Sequence, residues 1–200
     1  QGKLVLLRVD INQPVDKQTD TLKDTTRIAA CVPTVKELSD KGAKLVLLAH
    51  QGSDIEYHNY YTLRPHAKVL SAMTGKRVAF IPDVCGPYAQ ERIGHLSPGD
   101  ILLLDNVRFM AEEMTLFETK LKLSAEQQAG TQIVQRLAPL ADLFVADAFA
   151  AAHRAQPTLV GFEQRLPSAM GRLFEKEYSV LSGILEQPDK PLVFVLGGAK

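Results

Sequence analysis

The sequence predicts an α/β fold: an open parallel sheet with helices on both faces, in three layers. Three observations carry this expectation. Six apolar runs of strand length recur along the 200 residues, and they read as continuous stretches, as strands buried on both faces do. Segments with helical apolar spacing separate them, so each strand returns to the sheet through a right-handed helical crossover. Most runs also end in polar or charged residues, and ligands of open α/β sheets gather beyond the carboxyl ends of the strands.

Leu4-Val5-Leu6-Leu7 with Val9 is the first strand and ends in Asp10-Ile11-Asn12. Residues 13–24 are polar and turn-rich. A helix follows with Ile28, Val32, Val35 and Leu38 on one face and stops at Gly42. Pro33 inside that pattern either kinks the first turns or marks the helix start. Residues 44–49 form the second strand, leading into His50-Gln51-Gly52-Ser53. Beyond a polar loop, Thr62 is the expected cap of a helix that carries Leu63, Ala67 and Leu70 and closes at Gly75.

Residues 78–81 are the third strand, and a short helix runs from Pro87 to Ile93. After the turn Ser97-Pro98-Gly99-Asp100, residues 101–104 form the fourth strand, ending in Asp105-Asn106-Val107-Arg108. A helix through Ile133, Val134 and Leu137 leads to the fifth run, which starts at Leu143, stops at Asp147 and crosses small residues to His153-Arg154. Past Pro167 the longest helical pattern carries Met170, Leu173, Phe174, Val180, Leu181 and Ile184, ended by Pro188 and Pro191. Residues 192–196 are the sixth strand. A long helix between a finished set of strands and a new one reads as a connector. The expected division is a domain over 1–168, a connector helix over 169–188, and the start of a second domain over 189–200.

Acids and bases balance at 23 each, so no global field draws in nucleic acid or an anionic membrane, and an anion site must be built locally. No apolar run approaches the ~20 residues of a membrane span. Cys31 and Cys85 are far apart without CxxC spacing, which suits two buried thiols in a cytoplasmic protein. The chain begins without Met and stops just after a glycine turn, so it is expected to belong to something longer.

The exits of the runs that begin near residues 4, 45, 101 and 143 carry groups suited to an anionic, hydroxylated small molecule. Asp10 and Asn12 can hydrogen-bond hydroxyls, while His50, Arg108, His153 and Arg154 can supply donors and positive charge. Arg27 lies near the start of the first helix, at the same rim. Taken singly, each arginine reads as a surface salt-bridge partner, Asp10 as a turn residue and His153 as a packed side chain; their joint placement is what points to a site. His50, His58 and His66 recur every eight residues but share no helix face, so no metal site is expected there. There is no G-x-x-x-x-G-K-[ST], G-x-G-x-x-G or G-x-S-x-G, which argues against a Walker loop, dinucleotide binding and serine hydrolysis. Haloacid-dehalogenase-type phosphatases also place an Asp at a strand end, but with a second acid two residues on, where this chain has Asn12.

Assembled in order, the motifs resemble the phosphoglycerate kinase family, specifically its amino-terminal half and the first strand of its carboxyl-terminal half. They are Arg8-Val9-Asp10-Ile11-Asn12, Thr26-Arg27-Ile28, Ala49-His50-Gln51-Gly52, Leu103 through Phe109, Asp147 through Arg154, and Leu196-Gly197-Gly198-Ala199-Lys200. The His-Gln-Gly and Ala-Ala-Ala-His-Arg variants look most like the archaeal branch. The resemblance implies a Rossmann-like three-layer domain and reversible phosphoryl transfer between ATP and the carboxylate of 3-phosphoglycerate, giving 1,3-bisphosphoglycerate, with Mg²⁺ accompanying ATP or ADP. It implies that Asp10, Ile11, Asn12, Arg27, His50, Gln51, Gly52, Ser53, Arg108, His153 and Arg154 bind phosphoglycerate. It also implies that Arg27 and Lys200 act on the transferring phosphoryl group, and that Gly197, Gly198 and Lys200 bind nucleotide. A monomeric, cytoplasmic glycolytic enzyme is the corresponding expectation. This fragment alone is expected to bind phosphoglycerate without catalysing transfer; a non-catalytic phosphometabolite-binding module is the alternative.

Three positions depart from the family pattern: Ser53 replaces the usual Arg, Asp105 the usual Glu, and Ala146 the usual Asn. Loss of a bidentate cation at position 53 is expected to weaken phosphate binding by ~1.5–3 kcal/mol and to shift the burden onto Arg154. Asp147 is expected to anchor the loop that presents Arg154.

Overall fold

A computed structural model describes residues 2–52, 60–193, 195 and 197. Among the described residues, six parallel strands form one sheet in the order β5-β6-β4-β1-β7-β8. These are β1 (Leu4–Val9), β4 (Lys44–Leu48), β5 (Val78–Phe80), β6 (Ile101–Leu103), β7 (Leu143–Asp147) and β8 (Ser168–Met170). The polar stretch after β1 closes on itself as a small antiparallel hairpin, β2 (Val15–Asp16) with β3 (Thr21–Leu22).

Every residue of β1 is buried, because the strand is central and covered on both faces. Leu4 and Leu6 pack with Val46, Leu48, Leu102 and Phe144 into one core. Val5, Leu7 and Val9 pack with Leu45, Leu47, Ile101 and Val145 into the other. This is the two-residue alternation of strand side chains, expressed as two apolar layers. Helix α1 (Thr26–Asp40) and helix α2 (Arg64–Thr74) cover the second core through Ile28, Cys31, Val35 and Leu70. Helices α3 (Pro87–Gly94) and α6 (Gln132–Leu137) cover the first through Ile93, Ile133, Val134 and Leu137. Two short helices, α4 (Thr115–Leu121) and α5 (Ala125–Gln128), precede α6. Cys31 and Cys85 are both free and buried.

Several expectations are corrected. Pro33 does not start a helix but lies inside α1. It is exposed, as is Ala29 one turn earlier, so the carbonyl deprived of its partner can turn to water. Helix α2 takes Leu63 as its cap residue, one later than Thr62; Asp105 accepts from Leu63 N at 2.9 Å and from the Thr62 hydroxyl at 3.1 Å, while Thr62 Oγ1 still accepts from Arg64 N at 3.3 Å. The sixth strand of the sheet is β8, an exposed edge pairing beside β7, which the sequence did not announce; the strand expected over 192–196 falls partly outside the described residues. Leu192, Val193 and Val195 are exposed. Met170 therefore belongs to β8, and the long helix α7 runs Arg172–Glu186.

Candidate functional site

Leaving β1 the chain turns to β4, and leaving β7 it turns to β8, so the connections part on either side of the β1–β7 seam. Such a divergence opens a crevice at the carboxyl ends of the strands. The exits are tied to one another by hydrogen bonds between distant segments. Asp10 accepts from Asn12 N at 3.2 Å, tightening the turn after β1. Asn12 Oδ1 accepts from Gly52 N at 3.0 Å, and Gln51 Oε1 accepts from Gln13 N at 3.1 Å while its amide nitrogen donates to Gln13 O at 2.7 Å. Asn106 Oδ1 accepts from Gln51 N and Arg108 N, both at 3.1 Å, and Asn106 Nδ2 donates to Gln51 O at 2.8 Å. The exits of β1, β4 and β6 thus form one rigid rim.

Arg108, only 2% exposed, donates from Nη1 to Gly52 O. Gly52 holds φ +99°, a conformation a side chain would strain. Arg27, at the start of α1, is ion-paired with Asp10 and half exposed. The Gln13 amide, in the orientation that satisfies both neighbours, accepts from Arg27 N at 2.6 Å and donates to Asp24 at 3.0 Å. Arg154, on the β7 exit, pairs with Glu118 at 3.2 Å. The same carboxylate accepts from Ala155 N at 3.1 Å and Gln156 Nε2 at 3.2 Å. An open cleft of about 490 Å³ is lined by Asn12, Lys17, Arg27, Gln51, Gly52 and Tyr61 among others.

His50 sits in the middle of this rim, 8% exposed. Burial is the chief reason its imidazole is held well below its usual range, and the guanidinium groups of Arg8, Arg108, Arg154 and Arg27 add repulsion. The expectation that His50 brings positive charge is therefore corrected: it is a neutral ring. Arg8 Nη2 lies 3.0 Å from His50 Nδ1. Arginine has no acceptor, so Nδ1 accepts and the ring proton rests on Nε2. The positive field comes from the arginines, with Arg108 itself shifted down by burial. What results is a cluster of guanidinium forks around one neutral N–H donor, beside carboxylate and amide groups able to hold hydroxyls. It suits a phosphorylated, hydroxylated carboxylate.

The other expected residues fall differently. The side chain of Ile11 is fully buried in the α1-side core, so only its backbone can face a ligand. His153 is exposed and makes no hydrogen bond among the described residues. Asp147 is not the anchor of the Arg154 loop, because its carboxylate accepts from Leu173 N and Phe174 N and so caps α7. His66 bonds Gln51 at 2.9 Å, and burial lowers its imidazole to about 4. Gly197 is exposed; Ser53, His58, Gly198 and Lys200 lie outside the described residues.

Sequence reasoning overlooked Arg8, Gln13, Lys17, Glu113 and Thr158. Arg8 is 1% exposed inside an apolar strand, and a charge at a strand's buried position is a signal that could have been read. Lys17 lies on the hairpin after β1, with its ammonium 5.8 Å from the Tyr61 ring, and nothing in its local sequence announces that.

The phosphoglycerate kinase family model matches residues 1–200. The chain is 48% identical over 199 residues to phosphoglycerate kinase of Methanothermobacter thermautotrophicus, covering 100% of the chain and 47% of the relative. It is 46% identical over 199 residues to that of Sulfurisphaera tokodaii, again covering 100% of the chain and 46% of the relative. The crystal structure of phosphoglycerate kinase from Pyrococcus horikoshii OT3 superimposes with a TM-score of 0.90 at 40% identity, over 100% of this chain and 47% of that one. The chain spans about half the length of these relatives.

Proposed function

The chain belongs to the phosphoglycerate kinase family, and from that premise we propose that it is the substrate-binding half of an enzyme transferring a phosphoryl group reversibly between ATP and the carboxylate of 3-phosphoglycerate. The observation that carries this reading is the placement of Arg27, Arg108 and Arg154 at the carboxyl rim of the sheet, around a His50 whose Nδ1 is held 3.0 Å from Arg8. In this reading residues 1–168 bind phosphoglycerate, 169–188 connect, and 189–200 begin the nucleotide domain.

The acceptor carboxylate is ionised at neutral pH, so transfer needs no strong base. It needs alignment and neutralisation of charge. Asp10 and Asn12 hold hydroxyl and carboxylate, and His50, Arg108 and Arg154 take the substrate's phosphate. Gln51, Gly52, Ser53 and His153 complete that wall. Arg27, half exposed, swings from Asp10 onto the transferring phosphoryl group. Lys200, with Gly197 and Gly198, meets the nucleotide phosphates. Mg²⁺, accompanying ATP or ADP, would neutralise charge on the nucleotide and belong mainly to the nucleotide side. No helix among the described residues is long and apolar enough to cross a membrane; a cytoplasmic, monomeric glycolytic enzyme is the reading that family membership supports.

Calorimetric titration of the chain with 3-phosphoglycerate, and separately with MgATP, tests the assignment. Phosphoglycerate binding with little or no MgATP binding is expected. Tight MgATP binding without phosphoglycerate binding would overturn it.

A further inference from the structure

On the face of the sheet opposite α1, a chain of buried polar groups runs from the core to His50. Arg8 donates from Nε to Thr158 Oγ1 at 3.0 Å, from Nη1 to Val9 O at 2.6 Å and from Nη2 to His50 Nδ1 at 3.0 Å. Thr158 Oγ1 accepts from Arg8, so its own proton goes to Glu113 Oε2, 3.0 Å away, while Thr158 N donates to Glu113 Oε1 at 2.6 Å. Glu113 and Thr158 are both fully buried. Both Glu113 oxygens are acceptors in this arrangement, which only the carboxylate form provides. An arginine without such a counter-charge would be an unpaired ion in the core.

We propose that Glu113 and Thr158 are positioning residues: the Glu113 carboxylate, acting through Thr158 and Arg8, holds His50 in the Nε2–H form that donates to the ligand's phosphate. The inference rests on the phosphoglycerate-binding reading above and deepens it. Burial raises the Glu113 carboxyl to about 7, against the pull of Arg8 and the two Thr158 bonds, with neighbouring Glu112 adding repulsion. Arg8 in turn feels Glu113, Asp10 and Arg108. When Glu113 takes up a proton, one of its oxygens turns donor. The Thr158 hydroxyl must then reverse, and Arg8 Nε loses its acceptor. A bare counter-ion role predicts the opposite outcome, because neutralising Glu113 leaves the arginine cluster more positive and tightens anion binding.

The test compares Glu113→Gln, Thr158→Val and Thr158→Ser in the chain at pH 7.5, by ¹⁵N NMR of the His50 ring and by calorimetric titration with 3-phosphoglycerate. Glutamine offers one acceptor where two are needed; valine keeps the volume and removes the relay; serine keeps the hydroxyl. The wild type and Thr158→Ser should show a single His50 Nε2–H tautomer and equal affinity. Glu113→Gln and Thr158→Val should show mixed tautomers and a dissociation constant raised about tenfold, what one oriented hydrogen bond to a charged ligand is worth. An unchanged tautomer in both variants, or tighter binding by Glu113→Gln, would overturn the proposal. If Glu113→Gln fails to fold, the valine–serine pair makes the same comparison. Absence of phosphoglycerate binding by the wild type would defeat the substrate reading, while the tautomer measurement would still decide the positioning role.

Discussion

The Asp147 carboxylate accepts the backbone N–H of Leu173 at 2.9 Å and of Phe174 at 3.1 Å. The acid that ends β7 therefore caps the long helix α7. Phe149, two residues beyond Asp147, also packs edge-on against Phe174, with ring centroids 5.1 Å apart. The β7 exit, which carries Arg154, and the first turn of α7 thus form one packed unit. A Cβ at Gly171 would overlap the Asp147 side chain, so the glycine permits this close approach. Asp147→Ala should lower stability by about 1–2 kcal/mol, the worth of a helix cap, and Gly171→Ala by about 1–3 kcal/mol through overpacking. Urea unfolding of the double variant should show clear non-additivity, since alanine at 147 removes the overlap. Strict additivity would refute the contact.

Glu113 makes stability depend on pH. Its folded value of about 7 lies above the ordinary 4.5, so the folded state binds the proton more tightly than the unfolded one. The contribution is fully present below about 4.5 and is lost as pH rises through about 7, on the order of 3 kcal/mol in all. Urea midpoints between pH 4.5 and 8 should fall less steeply in Glu113→Gln than in the wild type.

Glu37 acts in the other direction. It accepts from Arg172 at 2.7 and 2.9 Å, tying α1 to α7, and from Lys41 at 2.6 Å. These hydrogen bonds lower its carboxyl to about 2. The stabilisation is present above the ordinary 4.5 and is lost as pH falls toward 2. Glu37→Gln should flatten that acid limb in thermal melts, and an unchanged limb would mean the bridge is absent in solution.

His50 should show no ring titration between pH 5 and 8, because burial and the surrounding arginines oppose its protonation. Carbon-13 shifts of the His50 ring followed across that range should stay flat. A midpoint near 6.5 would place the ring in solvent and remove it from the site as described.

Arg108 and Arg154 should differ in kind. Arg108 is buried and braced against Gly52 O, so lysine cannot replace its planar fork, and Arg108→Lys should weaken phosphoglycerate binding at least about tenfold. Arg154 is partly exposed and shares Glu118. Arg154→Ala should cost a similar factor at low salt and less at high salt, where screening has already reduced its contribution. Titrations at two ionic strengths distinguish the two.

How much of this was legible in the sequence follows from the range of each interaction. Leu4 through Val9 announced a doubly buried strand because burial on both faces leaves a continuous apolar run, a local property. Asp10, Asn12, His50, Arg108 and Arg154 were legible as a rim because strand ends face one edge of a parallel sheet, and the motif order identified the family. Strand β8 escaped notice because Ser168-Ala169-Met170 is short and exposed at the edge, leaving no apolar signature. Only the tertiary structure decided which buried polar group meets which. Arg8 finds Thr158 across 150 residues of chain, and that pairing leads to Glu113 and orients the ring of His50. Asp147 serves α7 and not the Arg154 loop because its strand position points to the face where α7 packs. Periodicity and composition are properties of neighbours along the chain. The charge state and orientation of a buried group are set by neighbours in space, which the fold alone supplies.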